Sequence, residues 1–283
     1  TQNRQILETA SRFGPLREVL PEIDAITEER FNTDPRIRVP VELLAALGEE
    51  EGVSLVYAGY RTQTGILPGR WVGLPDGYDA RTRPWYTTTA ETGAFYVTDP
   101  YQTAEEGVDE RIYSVALPVT DAGAVVGVVA LDTTFTRIEG ALDEFVTSRG
   151  VQAALYSRDS ESIVWAPQGQ TGVSLAEMTA GLGVSGNRSA EVVSGMVAGE
   201  PFYFEGTASD SGQTWMVQTA PVTEGDQWGL MLTVDQAVVR GEVVRAVVLP
   251  LGIAGLVFLV FLGGAFVMTV RTILVPLNRV SDG

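Results

Sequence analysis

The sequence predicts an α+β fold: a long N-terminal helix, two tandem modules with antiparallel sheets, and one transmembrane helix. Three observations carry that reading. Residues 3–31 repeat apolar side chains at three- and four-residue steps, the period of one helix face. Two groups of β-rich runs follow, cut by Gly, Asp and Pro turns and separated by one helical stretch. Residues 246–270 then contain no charged side chain at all. Strands that cluster, instead of alternating with helices, argue against a single α/β enzyme domain.

Taken in order, Ile6, Ala10, Phe13, Leu16, Leu20, Ile23 and Ile26 form the first stripe, interrupted by Pro15 and Pro21. A short helix is expected over 40–50 after Pro40, ending in Glu49, Glu50, Glu51 and Gly52. VSLVYAGY (53–60), GRWVGL (69–74), ERIYSVALPVT (110–120) and AVVGVVALDTT (124–134) read as strands. The last two, joined by Thr120-Asp121-Ala122-Gly123, read as an antiparallel hairpin. A helix is expected at about 134–148. The second strand set is QAALYSRD, SIVWAP, GEPFYFEGTAS, TWMVQTAPV and WGLMLTVD, with a helical insert near 174–182. The resulting division is a helical strap at 1–51, a first module at 52–133, a linking helix at 134–150 and a second module at 151–235. A stalk and membrane helix at 236–270 and a linker from 271 to 283 complete it.

At about 1.5 Å of rise per residue, 246–270 reaches roughly 37 Å, enough to cross a hydrocarbon core of roughly 30 Å. Residues 1–245 carry 17 Arg and 35 acidic residues, a charge of −18, whereas Arg271, Arg279 and Asp282 leave +1 on the other side. Arginine on the short C-terminal flank points that side to the cytoplasm and places 1–245 outside the cell membrane, with Arg240 and Arg245 as a weaker opposing signal. An exported region of that size needs an earlier membrane segment or export signal, so both Thr1 and Gly283 read as cuts within a longer protein.

The whole chain carries 36 acidic residues against 19 basic ones, all arginine, with no lysine, histidine or cysteine. That excludes imidazole acid–base chemistry, thiol nucleophiles, Cys/His zinc sites, Schiff bases and the P-loop lysine. A net charge of −17 argues against a nucleic-acid partner. Carboxylates, hydroxyls and arginine remain, a set better suited to binding than to bond breaking. The aspartates Asp79, Asp99, Asp109 and Asp121 are scattered among turns and read as turn formers, so no metal or other cofactor is expected. Trp215 and Trp228 read as core residues of the second module.

The densest stretch is Gly77-Tyr78-Asp79-Ala80-Arg81-Thr82-Arg83-Pro84-Trp85-Tyr86. Pro84 disfavours the helical region for Arg83 and holds it extended. The planar fork of arginine matches a carboxylate, and flanking aromatics would dry such a site. The alternative is an aromatic corner that staples a loop to a sheet, with Arg83 satisfied by an internal acid such as Asp79.

Residues 75–86, PDGYDARTRPWY, resemble the ligand-loop signature of double Cache (dCache) sensor domains, and GVVALDTTFTRI is similar to the segment closing that family's first module. VRTILVPLNRV resembles the opening of a HAMP linker. The resemblance implies two PAS-like Cache modules in a prokaryotic transmembrane receptor, a homodimer that takes a small-molecule ligand in the membrane-distal module. A methyl-accepting chemotaxis protein leads among its outputs; a histidine kinase or nucleotide cyclase stands as the alternative. The amino-acid-binding subgroup carries a tyrosine, an arginine five on, a tryptophan two later, an adjacent tyrosine and a distant aspartate, which fall on Tyr78, Arg83, Trp85, Tyr86 and Asp132. The resemblance implies that Arg83 and the Trp85 region hold a ligand carboxylate while Tyr78, Tyr86 and Asp132 address its ammonium. A further family tyrosine matches Tyr101, but an acid often found two residues on is Thr103 here, with Glu105 or Asp99 as substitutes. Organic acids and amines remain alternative ligands. The reading of a different class is a membrane-anchored carboxylate hydrolase or a structural module, which a pair of facing carboxylates in an open groove would favour.

Overall fold

The computed structural model describes residues 2–23, 26–149, 151–207, 212–222 and 227–243. The N-terminal region is four short helices, α1 (Gln2–Ser11), α2 (Gly14–Val19), α3 (Glu28–Thr33) and α4 (Pro35–Leu47), which corrects the expectation of one long helix. Proline is the physical reason. Pro15 opens α2 and Pro35 opens α4, positions where the missing N–H costs nothing. Thr27 and Asp34 cap α3 and α4 by accepting from the backbone N–H of Arg30 and Arg36. The helix expected to start after Pro40 therefore starts five residues earlier and carries Pro40 inside it.

A six-stranded antiparallel sheet follows, made of β1 (Val53–Tyr60), β2 (Ile66–Pro68), β3 (Tyr96–Val97), β4 (Tyr101–Gln102), β5 (Arg111–Asp121) and β6 (Ala124–Thr134). Its order is β2-β1-β6-β5-β3, with β4 also on β5. The expected strand over 69–74 is not formed. Gly69 donates to the Val56 carbonyl and lies where a Cβ would stand 2.6 Å from the Leu44 backbone, so the chain turns away beneath α4. The β5–β6 hairpin forms on a tighter turn than expected, with only Ala122 and Gly123 outside the strands, both at positive φ (46° and 83°).

Alternation along these strands sorts the side chains to two faces. Val56, Ala58 and Tyr60 of β1, with Val129 and Leu131 of β6, pack against the N-terminal helices through Leu7, Leu16, Leu20 and Leu44. The intervening residues Leu55, Tyr57, Val128 and Ala130 face a second cluster with Trp85 and Tyr86 of α5 (Pro84–Thr92). Gly59, Ala116 and Ala130 leave the room those two aromatics need: a Cβ on Gly59 would stand 2.6 Å from Trp85 Cη2 and 2.8 Å from Tyr86 Cδ2. Gly59→Ala is expected to lower unfolding free energy by about 2–3 kcal/mol through overpacking. Gly140→Ala, on α6 (Thr136–Arg149) where nothing lies within 4 Å, is expected to raise it by about 0.5–1 kcal/mol. Urea denaturation of the two variants checks both signs.

The second sheet, order β8-β7-β11-β10-β9, comprises β7 (Gln152–Ser157), β8 (Ser162–Trp165), β9 (Phe202–Thr207), β10 (Thr214–Pro221) and β11 (Trp228–Asp235). Two helices cover one face, α7 (Leu175–Gly181) and α8 (Asn187–Ala198). Only the first matches the expected insert; α8 buries Val192, Gly195 and Met196 at helical spacing. The other face meets α6 and the first sheet. Trp228 packs edge-on against Tyr113 and Phe135, with ring centroids 5.0 and 5.7 Å away. Tyr96 donates to Asp159 at 2.9 Å, and Arg111 bridges Glu139 and the Val164 carbonyl. α9 (Gln236–Val243) leaves the last strand. Among the described residues no helix is long and apolar enough to cross a membrane. The expected span at 246–270 and linker at 271–283 lie outside those residues.

Candidate functional site

The candidate site lies on the α5 face of the first sheet, and strand pairing assembles it. Asp132 on the central strand β6 stands opposite Leu55 of β1 on one side and Ser114 of β5 on the other. Tyr57, two residues along β1, points to the same face, and Tyr101 arrives on β4, paired with Ile112. Across these strands the Tyr57 hydroxyl donates to Asp132 Oδ1 at 2.8 Å and Ser114 Oγ donates to the same oxygen at 2.6 Å. Because the Ser114 proton is committed to the carboxylate, Tyr101 donates to Ser114, giving a relay from Tyr101 through Ser114 to Asp132.

The opposite wall comes from the loop before α5. A one-turn 3₁₀ helix, Ala80–Thr82, is capped by Asp79, which accepts from the Arg81 backbone N–H. Asp79 also takes the Arg81 guanidinium at 2.8 and 2.9 Å. The internal acid thus goes to Arg81, not to Arg83. Arg83 is the N-cap residue of α5 with φ −86° and ψ 140°, the extended conformation expected before Pro84. Its guanidinium carbon lies 5.5 Å from the Tyr101 ring centroid and 5.9 Å from that of Tyr78. Among the described residues Arg83 has two aromatic faces and no ion pair or hydrogen-bond acceptor for its fork.

These residues enclose a cavity of about 30 Å³ lined by Tyr57, Tyr78, Arg83, Tyr101, Thr103, Glu105 and Asp132, with Leu55, Ile66, Val72, Leu74, Ala104 and Ile112 as its apolar part. Glu105 is held at its rim by Arg70 through two parallel contacts of 2.7 and 2.8 Å. Asp132 is only 8% exposed. Burial raises its pKa from 3.8 to about 6, against the lowering effect of the Ser114 and Tyr57 hydrogen bonds; Glu105 pushes it further up and Arg83 pulls it down. Burial likewise lifts Tyr78 to about 12, opposed by the Arg83 charge and reinforced by Asp132.

Of the six residues singled out in the sequence, Tyr78, Arg83, Tyr101 and Asp132 line this cavity. Trp85 and Tyr86 do not. They lie beneath it, 1% and 6% exposed, with Trp85 edge-on to Tyr57 at 5.0 Å and to Tyr86 at 5.6 Å. Helix geometry is the reason: Pro84 starts α5, so the two following side chains turn into the sheet over Gly59. Of the two acids weighed against Thr103, Glu105 lines the cavity and Asp99 does not. Sequence reading missed Tyr57, Ser114 and Arg70. Period-two alternation in VSLVYAGY and ERIYSVALPVT offered a signal for the first two, once their strands are known to flank Asp132.

The site can present a cation and a carboxylate to one small molecule, with hydroxyls and apolar side chains between them. A family model described as methyl-accepting chemotaxis protein-like, first PDC sensor domain, matches residues 55–140, the segment that carries every residue lining the cavity. The methyl-accepting chemotaxis protein McpB of Bacillus subtilis (strain 168) is 35% identical over 89 residues, which is 31% of this chain and 12% of that protein. Among solved structures, the ligand-binding domain of the Pseudomonas fluorescens chemoreceptor CtaA in complex with L-serine superposes with a TM-score of 0.54 at 23% identity, covering 82% of this chain and 87% of that one. The ligand-binding domain of the Pseudomonas aeruginosa amino acid chemoreceptor PctC in complex with GABA gives 0.53 at 23% identity, covering 82% and 89%. The mixed helix and antiparallel-sheet fold of this chain is that of chemoreceptor ligand-binding domains.

Proposed function

We propose that this chain is the extracytoplasmic sensor of a transmembrane chemoreceptor and that it binds a free amino acid between Arg83 and Asp132. The observation that carries the reading is an arginine with no ion pair among the described residues, sharing one small cavity with a buried, hydrogen-bonded carboxylate. A zwitterion satisfies both ends: its carboxylate fits the Arg83 fork and its ammonium meets Asp132. Tyr78 and Tyr101 flank the fork, and Trp85 and Tyr86 hold α5 and the loop before it in position from below. The fold match to proteins solved with L-serine and GABA supports the ligand class.

The cavity as it stands has room for about two waters, so an amino acid has to displace side chains that narrow it. Candidates are Tyr78, Tyr101 and the turn at 103–106. That displacement is the signalling event in this reading. Ligand stabilises one of two arrangements of the first module. The Tyr96–Asp159 and Arg111–Val164 contacts pass the change to the second module, and the helix from Gln236 carries it to the membrane segment at 246–270 and the HAMP-like start. The proposed division keeps residues 52–133 as the membrane-distal binding module and 151–235 as the proximal one, in a homodimer with its C-terminus in the cytoplasm. A carboxylate hydrolase is a poorer fit: Tyr57 and Ser114 occupy Oδ1 of Asp132, and both oxygens of Glu105 are taken by Arg70.

The test is a thermal-shift panel on the chain with free L-amino acids, their N-acetyl forms and their amides. A stabilising free amino acid whose N-acetyl form and amide both fail supports capture at two charged ends. Equal stabilisation by the free and N-acetyl forms would instead assign the site to organic acids, and stabilisation by the amide alone to amines.

A further inference from the structure

The cavity wall carries one positive charge, Arg83, and two negative ones, Asp132 and Glu105. Left so, it would prefer a ligand of net charge +1 over a neutral zwitterion. Arg70 alters that balance from outside. It is not among the lining residues, yet its Nη1 and Nη2 meet Oε1 and Oε2 of Glu105 at 2.7 and 2.8 Å, the bidentate geometry that uses both carboxylate oxygens. The turn that bears Glu105 is fastened to the stretch following Arg70: Glu106 donates its backbone N–H to the Gly73 carbonyl at 3.0 Å. Within the turn, the Glu105 backbone N–H donates to Thr103 Oγ1 at 3.2 Å. The pair is thus held by the chain on both sides, although Arg70 itself is about half exposed.

We infer that Arg70 is a specificity-determining residue: by neutralising Glu105 from behind the wall, it matches the cavity to amino acids with uncharged side chains and disfavours those that carry a second positive charge. This rests on the amino-acid reading of the same cavity. Discrimination of this kind is a difference of two affinities, and it arises from an unfavourable charge balance toward the wrong ligand as much as from contacts to the right one. Solvent screening at the rim limits the effect to about tenfold.

The experiment uses two ligands of matched shape and different charge, L-norleucine and L-ornithine, titrated calorimetrically into the full chain and into the variants Arg70→Gln, Glu105→Gln and the double variant. Arg70→Gln is expected to move the ratio of the two dissociation constants about tenfold toward ornithine. Glu105→Gln is expected to move it the other way, and the double variant to return within about twofold of the parent. A purely structural role for the pair predicts equal weakening of both ligands and no restoration in the double variant, which overturns the inference. A second readout needs no ligand. The charged and titratable groups that act on Asp132 are Tyr57, Tyr78, Tyr101, Arg70, Arg83 and Glu105, so removing Arg70, which exposes the Glu105 charge and takes away a cation, should raise the pH at which Asp132 titrates in the stability profile, and removing the Glu105 charge should lower it. If the parent chain binds neither amino acid, the ligand reading has failed. The profile then decides the electrostatic claim: opposite shifts in the two single variants uphold it, and unmoved midpoints overturn it.

Discussion

Asp132→Asn is expected to abolish amino-acid binding while making the unliganded chain more stable at neutral pH. Removing one partner of a desolvated charge pair costs about 3 kcal/mol or more, a loss of at least about a hundredfold in affinity. The stability gain has a separate origin. Burial holds the Asp132 pKa at about 6 against 3.8 for the free side chain. Below pH 4 both folded and unfolded chains keep the proton. Between pH 4 and 6 the unfolded chain releases it and the folded chain retains it, so stability falls as pH rises through that window. Above pH 6 the accumulated loss is on the order of 3 kcal/mol. Asparagine keeps the shape and most of the hydrogen bonding without a charge to bury, so the fall should flatten and the variant should gain about 1–3 kcal/mol at pH 7. Urea denaturation from pH 4 to pH 8 checks it. A variant less stable than the parent at pH 7 would show that the Tyr57 and Ser114 hydrogen bonds outweigh the cost of burial. A ligand carried on such a site binds more weakly as pH falls below about 6, since the ammonium then meets a neutral acid.

Arg83→Ala carries the second large effect and the opposite pattern. Its guanidinium touches the Tyr78 and Tyr101 rings and has no acceptor among the described residues, so truncation costs the unliganded chain only about 1 kcal/mol. A ligand carboxylate loses its only bidentate partner on the wall. Ligand-induced stabilisation should therefore vanish while the melting temperature of the free chain changes little. Arg83→Lys keeps the charge but presents a point donor in place of a fork, and should recover only a small part of the binding. Full stabilisation by ligand in Arg83→Ala would remove Arg83 from the site. Together the two substitutions separate a functional charge that destabilises the fold from one that is nearly neutral to it.

Some of this geometry was legible in the residues. Pro84 fixed the extended backbone of Arg83, because proline constrains the residue before it, whereas α5, which the same proline opens, was not among the expected elements. The hairpin around Ala122-Gly123 was equally local. What escaped was everything that strand pairing decides at a distance. Tyr57 meets Asp132 across 75 positions and Arg70 meets Glu105 across 35, and nothing near either residue announces its partner. Trp85 and Tyr86 were expected beside a ligand because aromatics flank binding arginines. Their burial depends on Gly59, a residue that reads as a strand weakness in sequence and as a socket in the fold. The long N-terminal helix failed for a third reason. The apolar stripe is real and buries Ile6, Ala10, Leu16, Leu20 and Ile23, but successive short helices can present the same stripe once prolines break the backbone ladder.

The most direct test is a crystal structure of the chain grown with the amino acid that stabilises it most. The expected result is a ligand in the cavity with its carboxylate on the Arg83 fork and its ammonium within hydrogen-bond distance of Asp132. A ligand seated elsewhere, or one that leaves Arg83 and Asp132 untouched, would contradict the account.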